Sequence, residues 1–224
     1  MLALIIANSP YLLPETPGAG QPRLKLPAYD VLIAADGGAR HCLALGLYPS
    51  YVIGDLDSLE ESHLAQLRDH GAQIVQYPRR KDHTDLELAL EFTHQLGASK
   101  INILAALGAR WDQTLANLLL PVRLPGVSIH LLEGPQEITY LRGGERIELT
   151  GLPGDTVSLI PLGGDASGIT THNLEYPLDH ETLFFGTTRG ISNLLLASPA
   201  YVSLDQGLLL CTLIHARQAD NLSA

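Results

Sequence analysis

Cysteine is almost absent from this 224-residue sequence, which contains only Cys42 and Cys211. Neither belongs to a CxxC pair or stands at a zinc-type interval from a histidine, which argues against a disulfide framework and a cysteine-based metal site. Both lie within apolar stretches, so we expect them to be small buried side chains.

Basic residues are scarce as well. Lys and Arg number 14 against 24 Asp and Glu, and the formal net charge is −10. The chain therefore lacks the overall positive charge that is typical of proteins that bind nucleic acids or anionic membranes. No apolar run approaches the ~18 residues that a membrane-spanning helix needs. The opening MLALIIANSP lacks a basic region and is broken by polar residues, so we expect a first strand and not a signal peptide. We therefore expect a cytoplasmic protein without a nucleic-acid or membrane partner.

The common motifs for phosphate binding and nucleophile activation are missing too. There is no Walker A sequence, no GxGxxG and no GxSxG, and the nine histidines show no HxH or HExxH spacing. We expect His41 and His63 to be solvated helix positions. A ligand as acidic as ATP would need a cation to bridge it to this acidic chain.

Residues 1–133 alternate between strand-like apolar runs and segments with apolar residues at helical spacing. Six strands are predicted from LALIIAN, YDVLIAAD, SYVIGD, AQIVQY, KINILAAL and VSIHLL. Four helices are predicted from GARHCLALGL, SLEESHLAQLRDHG, HTDLELALEFTHQLG and WDQTLANLLLPVRL, with Gly46, Gly71 and Gly97 at the expected C-caps. This alternation predicts an α/β domain with a doubly wound parallel sheet.

From residue 134 to 224 the pattern changes to short strand-like runs such as EITYLR, DTVSLIPL and GLLLCTL, separated by Gly-rich turns. Strand signals at hairpin spacing predict a small antiparallel β-sandwich or barrel. The sequence thus indicates two domains, residues 1–133 and residues 134–224.

Carboxylates follow the predicted strands of the first domain, at the edge where open parallel sheets bind ligands. These residues are Asp36, Asp55, Asp57, Asp82, Asp85 and Asp112. A single aspartate after a strand is usually a turn or cap residue. Several that converge on one edge repel one another, so we expect a cation to hold them together. Gly37 and Gly38 follow the second strand, where backbone can approach a ligand closely.

The stretch GDLDS places Asp55 at a strand end and Asp57 two residues later. Both side chains point to the same side if the extended geometry persists. Magnesium fits such a pair, because it takes oxygen ligands from one or two carboxylates and from substrate phosphates. Ser58 is expected to cap the next helix, with Glu61 completing a capping box.

Cations stand beside the other carboxylates. The segment RRKDHTD precedes a helix predicted to begin near Thr84, where backbone N–H groups also attract anions. Arg110 precedes the next helix and is suited to grip a phosphate bidentately. Asp112 is equally consistent with a helix cap and with a ligand site. The residues together indicate a phosphate-transfer site built from carboxylates, Mg²⁺ and a few cations.

Five segments resemble, in order and at suitable spacing, the motifs of the thiamine pyrophosphokinase family: ADGGA, IGDLDS, KDHTDLELAL, LGARWDQTLANL and GISN. They span almost the whole chain and are specific as a set. The resemblance implies an enzyme that transfers the pyrophosphoryl group of ATP to the hydroxyl group of thiamine, giving thiamine diphosphate and AMP. It also implies an N-terminal α/β domain, a C-terminal β-sandwich domain, Mg²⁺ as cofactor, and a homodimer with thiamine at the subunit interface.

The resemblance also implies roles position by position. Asp55, Asp57 and Asp85 would bind Mg²⁺, and Asp57 or Asp85 would accept the hydroxyl proton. Ser192 and Asn193 would face thiamine. The implied ATP-binding residues are Asp36, Gly37, Lys81, Asp82, Thr84, Arg110, Asp112 and Gln113. The candidates for an aromatic partner of thiamine are Tyr176, Phe184 and Phe185.

Two positions depart from the family pattern. Gln113 stands where the family usually has His, and Leu194 stands where Glu commonly follows the SN motif. Two alternatives therefore stay open: pyrophosphoryl transfer to another heterocyclic alcohol such as a hydroxymethylpterin, and a catalytically silent nucleotide-binding module. The retained aspartates argue against the silent module, because clustered carboxylates without a function would only cost stability.

Overall fold

The structure is a computed structural model that describes residues 1–9, 26–108 and 110–216. The chain forms two compact units, unit 1 from Met1 to Glu133 and unit 2 from Gly134 onward. None of the described helices is long and apolar enough to cross a membrane.

Unit 1 contains a six-stranded sheet in which every strand pair is parallel. Its strands are β1 (Leu2–Ile6), β2 (Val31–Ala35), β3 (Tyr51–Gly54), β4 (Gln73–Gln76), β5 (Lys100–Leu104) and β6 (Ser128–Glu133). Their order across the sheet is β6-β5-β1-β2-β3-β4, so the winding direction reverses between β1 and β5. All six strands predicted from the sequence are confirmed.

Four helices connect these strands: α1 (Gly38–Ala44), α2 (Glu61–Asp69), α3 (Asp85–Gln95) and α4 (Trp111–Leu119), the last continued by a 3₁₀ turn. The predicted C-cap glycines Gly46, Gly71 and Gly97 have φ angles of 69°, 87° and 85°. This left-handed conformation, which glycine adopts at little steric cost, ends the first three helices as expected.

The sheet of unit 1 is covered on both faces. Leu4, Leu32 and Val52 belong to a core cluster that also contains residues of α1 and α2. The alternate strand residues point to the opposite face, where Tyr51 packs edge-on against Phe92 of α3 with the ring centroids 4.9 Å apart. The doubly wound α/β fold predicted for the first domain is confirmed.

Unit 2 consists of two antiparallel layers. One contains β12 (Asn193–Leu194), β9 (Thr156–Pro161), β14 (Leu208–Ile214) and β7 (Gln136–Arg142), in that order; the other contains β11 (Glu181–Leu183), β10 (Ala166–His172), β13 (Ala200–Ser203) and β8 (Arg146–Leu149). Leu141 and Leu213 of one layer share a buried cluster with Ile169 and Val202 of the other, which is the core of a β-sandwich. Cys42 and Cys211 are buried in unit 1 and unit 2, as expected.

The cap and capping box predicted for α2 are wrong, and of the two alternatives for Asp112 the helix cap is not observed. Helix α2 begins at Glu61 after Glu60, and Ser58 makes no capping bond. Within the described part of the chain its buried Oγ atom has no hydrogen-bond partner. Leu56 and Leu59 are buried. Because they hold this turn in the core, the helix begins only after it. Asp112 is not the cap of α4, because that position belongs to Arg110, which makes no side-chain capping bond.

The two histidines expected in solvent are also partly enclosed. His41 Nε2 donates to the carbonyl oxygen of Ser9 at 3.0 Å, and burial lowers its pKa. His63 Nδ1 is buried without a hydrogen-bond partner among the described residues.

Candidate active site at the strand tips of unit 1

Three carboxylates meet at the carboxyl ends of β2 and β3. Asp36, Asp55 and Asp57 each offer one oxygen, and these oxygens lie within 4.8 Å of one another. We call this group the acidic cluster. Neighbouring strands bring the three residues together, since β2 pairs with β3 in register up to Ala35 and Ile53.

Asp36 occupies the most enclosed position of the acidic cluster. Its backbone N–H donates to the Ile53 carbonyl at 2.8 Å, and its φ angle of 45° lies in the left-handed region, which Asp tolerates better than most residues. Its Oδ1 atom is buried and has no hydrogen-bond partner among the residues that the structure describes. A buried carboxylate oxygen without a partner is costly, and a hard cation would relieve this cost.

Gly54 makes the approach of two carboxylates possible. Its φ angle is 156°, and a Cβ atom there would lie 2.9 Å from Asp36 Cβ and 3.0 Å from Asp85 Oδ1. Any side chain at this position would push the aspartates apart, so the glycine of GDLDS serves the geometry of the site.

Asp55 and Asp57 are not in extended geometry, in contrast to the sequence expectation. Leu56 between them has φ 65°, and the Asp57 N–H donates to Asp55 Oδ1 at 3.2 Å. The turn nevertheless keeps both carboxylates in the acidic cluster. Arg79 Nη2 lies 3.0 Å from Asp57 Oδ2 on the solvent side.

Lys81 joins the acidic cluster to Asp85. Its Nζ lies 2.7 Å from Asp85 Oδ1 and 3.4 Å from Asp55 Oδ2, and the Lys81 side chain is 13% exposed. Burial alone would lower the pKa of Lys81, but its bonds to Asp85 and Asp55 outweigh this and raise it. The ammonium group is therefore a fixed positive charge at the edge of the site.

The same contacts divide the carboxylates into two kinds. Burial raises the pKa of Asp85 above its ordinary value, although Lys81 partly offsets this. Burial also acts on Asp55, but the Asp57 amide and the Lys81 charge outweigh it and lower the pKa of Asp55. Asp55 is thus held as an anion, whereas Asp85 is the more basic carboxylate and lies outside the acidic cluster.

Thr84 and Asp82 flank this arrangement. Thr84 is the N-cap of α3, as its predicted start indicated, and its Oγ1 accepts from the Glu87 N–H at 3.2 Å. Asp82 is exposed. Thr84 therefore has a structural role that stands beside its predicted role in ATP binding.

Arg110 and Asp112 pair with each other at the start of α4. The Nε and Nη2 atoms of Arg110 lie 3.1 and 2.5 Å from the two carboxylate oxygens of Asp112. Both residues and Gln113 are exposed; Arg110 is the N-cap residue of α4, and Asp112 and Gln113 lie in its first turn. A phosphate would have to replace the Asp112 carboxylate as the bidentate partner of Arg110.

Gly37 has a packing role that the sequence did not predict. A Cβ atom there would lie 2.4 Å from Asn8 Nδ2. The glycine therefore lets the chain after β2 pass beneath the Asn8 side chain at the tip of β1.

Ser192 and Asn193 lie in unit 2, at the start of β12. Asn193 Oδ1 accepts from the Tyr176 N–H at 3.0 Å, and its Nδ2 donates to the Tyr176 carbonyl at 2.7 Å. The Tyr176 ring is 65% exposed. The Ser192 N–H donates to Ser158 Oγ at 3.1 Å. Asn193 thus fixes the backbone beside an exposed aromatic ring.

Sequence reasoning missed Glu133 at the tip of β6. Burial raises its pKa to about 7, partly offset by a hydrogen bond from the Leu107 backbone. Its Oε2 atom is buried, and none of the described residues forms a hydrogen bond with it. The strand-tip rule used for the other acids could have found it, because Glu133 ends the last predicted strand of the first domain.

Comparison with known proteins relates both units to one family. Residues 24–131 match the catalytic domain of thiamin pyrophosphokinase, and residues 145–209 match its vitamin B1 binding domain. The chain belongs to the thiamin pyrophosphokinase family. The catalytic-domain match contains the acidic cluster, Lys81 and Asp85, and the vitamin B1 binding match contains Ser192 and Asn193.

Curated and solved members of the family support this placement. The thiamine pyrophosphokinase of Bacillus subtilis (strain 168) is 28% identical over 184 residues, 81% of this chain and 86% of the relative. Thiamine pyrophosphokinase 1 of Oryza sativa subsp. japonica is 26% identical over 170 residues; the match covers 72% of this chain and 64% of that relative. The chain is thus related to known enzymes over most of its length.

Two crystal structures show the same fold. A thiamine pyrophosphokinase from Bacillus subtilis matches with a TM-score of 0.82 and 25% identity, covering 96% of this chain and 99% of that chain. A thiamin pyrophosphokinase family protein from Enterococcus faecalis matches with a TM-score of 0.80 and 26% identity, again over 96% and 99% of the two chains. Membership of the family makes this chain an enzyme.

Proposed function

We propose that the protein transfers the pyrophosphoryl group of ATP to the hydroxyl group of thiamine, giving thiamine diphosphate and AMP, with Mg²⁺ as cofactor. The observation that supports it best is the acidic cluster, within a region that matches the family's catalytic domain. Its carboxylates come from the two neighbouring strands whose tips carry ADGGA and GDLDS.

Asp36, Asp55 and Asp57 fit a hard divalent cation. All three offer oxygen ligands, the atoms that Mg²⁺ prefers. The buried Oδ1 of Asp36, which bonds none of the described residues, would be stabilised by a cation. Asp85, implied as a ligand by the family resemblance, is instead paired with Lys81 and adjoins the cluster. A bound Mg²⁺ would neutralise charge on the phosphoryl oxygens of ATP.

The cations of the chain would complete ATP binding. Lys81 lies between Asp55 and Asp85 as a fixed charge close to the cluster. Arg79 and Arg110 are exposed and are held by Asp57 and Asp112 until a phosphate competes for them. Because these guanidinium groups are always charged, they offer the phosphates an orienting contact that does not depend on pH.

The reaction needs an acceptor for one proton. The hydroxyl oxygen of thiamine bonds to the β-phosphorus, the bond from that phosphorus to the α,β-bridging oxygen breaks, and AMP leaves with the electron pair. Asp85 is our choice as the base over Asp57, because burial raises its pKa above the ordinary value, and a more basic carboxylate accepts a proton more readily.

Unit 2 would bind the acceptor. Ser192 and Asn193 belong to the region that matches the vitamin B1 binding domain, and the exposed Tyr176 ring next to Asn193 offers an aromatic face. We further propose a homodimer with thiamine at the subunit interface, as the family resemblance implies, and the cytoplasm as the compartment, as the sequence indicates.

An acceptor panel tests the proposed function. Purified protein with ATP and MgCl₂ is incubated with thiamine, with a hydroxymethylpterin, or with no acceptor, and AMP is measured. We expect AMP only with thiamine. AMP formed only with the pterin would support the other heterocyclic alcohol, and no AMP with either acceptor under any divalent metal would favour the silent nucleotide-binding module.

A further inference from the structure

The winding direction of the unit 1 sheet reverses between β1 and β5, and ligands of open parallel sheets bind in the crevice at such a reversal. Two side chains stand beside this crevice that none of the motifs includes. Asn8 follows β1, and Arg40 lies in the first turn of α1. Arg40 Nη2 donates to Asn8 Oδ1 at 3.3 Å, and both residues are exposed. We call them the Asn8–Arg40 pair.

The neighbouring backbone fixes Asn8 in this place. The Ser9 N–H donates to the Ala105 carbonyl at 2.7 Å, which ties the chain after β1 to the tip of β5. His41 Nε2 donates to the Ser9 carbonyl at 3.0 Å, and Gly37 leaves room for the Asn8 side chain, as described above. The backbone that carries Asn8 is therefore held at the tip of β1, beside Arg40.

Arg40 differs from most guanidinium groups of unit 1 in its charge environment. Arg68, Arg79, Arg110 and Arg123 each form an ion pair with a carboxylate. Arg40 forms none with the residues that the structure describes, and its side chain donates a hydrogen bond to the neutral Asn8 amide. Its positive charge is thus available to an anion without the loss of an existing ion pair in the described chain.

The position of the Asn8–Arg40 pair relative to the acidic cluster indicates which anion the pair would bind. Adjacent strands lie about 4.8 Å apart, and β1 adjoins β2, whose tip carries Asp36, on the side away from β3, Asp55 and Asp57. The step between neighbouring phosphoryl groups is shorter than one strand spacing, and the long Arg40 side chain spans the difference. An ATP whose β-phosphate lies at the acidic cluster would then reach the Asn8–Arg40 pair with its α-phosphate.

We propose that Arg40 and Asn8 bind the α-phosphate of ATP and stabilise the AMP that leaves. This inference rests on the proposed function. When the bond between the β-phosphorus and the bridging oxygen breaks, its electron pair remains on the α-phosphate of AMP. The guanidinium group of Arg40 and the Nδ2 group of Asn8 donate hydrogen bonds to that developing charge, and fixed donors of this kind lower the barrier of a charge-forming step.

Titration of the whole protein with AMP in the presence of MgCl₂ tests the inference without turnover. We expect Arg40→Met to raise the dissociation constant of AMP at least tenfold, and Arg40→Lys to raise it less, because the charge remains while the guanidinium fork is lost. Arg68→Met is the matched control: it removes the same charge from an exposed position of α2, and we expect AMP affinity within twofold of the wild type.

Kinetics of the same variants provide a second readout. Arg40→Met should lower kcat with ATP about a hundredfold and leave the KM for thiamine unchanged, and Asn8→Ala should weaken AMP binding without changing the circular dichroism spectrum. Unchanged AMP affinity in Arg40→Met, or a wild type that binds no AMP at millimolar concentration, would overturn the inference. A wild type that binds AMP through Arg40 but makes no thiamine diphosphate would instead contradict the proposed function alone.

Discussion

Lys81 and Asp85 form a hydrogen-bonded ion pair of 2.7 Å across the start of α3. The same ammonium group lies 3.4 Å from Asp55, at the tip of β3. Lys81 therefore connects the carboxylate that we propose as the base with one that we propose as a metal ligand. This contact offsets part of the repulsion between Asp55 and Asp85 at this sheet edge.

The first prediction concerns Lys81→Met. Removal of the ammonium group leaves Asp55 and Asp85 without their shared cation, so we expect the free energy of unfolding in urea to fall by about 1–3 kcal/mol. Lys100→Met is the control, because Lys100 begins β5 at the opposite edge of the sheet. Equal stability of the two variants would show that the Lys81 contacts contribute nothing.

The second prediction separates metal binding from stability at Asp36. Asn has the same shape and tolerates the left-handed φ of 45°, so Asp36→Asn should fold and, without metal, be at least as stable as the wild type because like-charge repulsion falls. Mn²⁺ affinity, measured by electron paramagnetic resonance in the presence of ATP, should fall at least tenfold. Wild-type Mn²⁺ affinity in this variant would remove Asp36 from the metal site.

The third prediction is a pH dependence of stability from Glu133. Because burial raises its pKa from 4.5 to about 7, the folded state holds the proton more tightly than the unfolded state. Its contribution to stability is complete below pH 4.5 and is lost as the pH rises through about 7.

Glu133→Gln should remove that pH dependence. As the pH rises from 4.5 to about 7, the free energy of unfolding of the wild type should fall by about 1 kcal/mol more than that of the variant, a value reduced for solvent screening. Urea unfolding of both proteins at several pH values measures the difference. Parallel pH profiles would mean that Glu133 has the same pKa in the folded and unfolded states.

The fourth prediction concerns Asn193. Its side chain accepts from the N–H groups of Tyr176 and Leu194 and donates to the Tyr176 carbonyl, so Asn193→Ala should lower the free energy of unfolding by about 1–3 kcal/mol and raise the KM for thiamine. Ser192→Ala is the neighbouring control for stability. A raised KM with unchanged stability would indicate that Asn193 acts by contacting the acceptor and not by fixing Tyr176.

The elements of the fold were predictable because their apolar patterns are local, whereas the details of the site depend on contacts between distant segments. Continuous runs such as LALIIAN and VLIAA identify buried strands without knowledge of their neighbours. The acidic cluster includes Asp36 because β2 lies next to β3, and no local pattern states that strand order. The Ser58 cap was wrong for a related reason: Leu56 and Leu59 turn into the core, so tertiary packing sets where α2 begins.

The residues outside the family motifs show the same limit. Asn8 and Arg40 are 32 positions apart in sequence. The order of the strands and the lack of a side chain at Gly37 bring them together. Asn193 was expected to face thiamine, and its hydrogen bonds to the Tyr176 backbone could not be inferred from the dipeptide SN. Its direct contact with thiamine stays a prediction.

The most direct test of the central claim is the identity and ratio of the products made by the wild-type protein. ATP, MgCl₂ and thiamine are incubated with it, and the nucleotide and thiamine products are separated and quantified, with a parallel sample in excess EDTA. We predict AMP and thiamine diphosphate in equal amounts, and neither product in EDTA. ADP with thiamine monophosphate, or equal product formation with and without EDTA, would contradict the metal-assisted transfer of a pyrophosphoryl group.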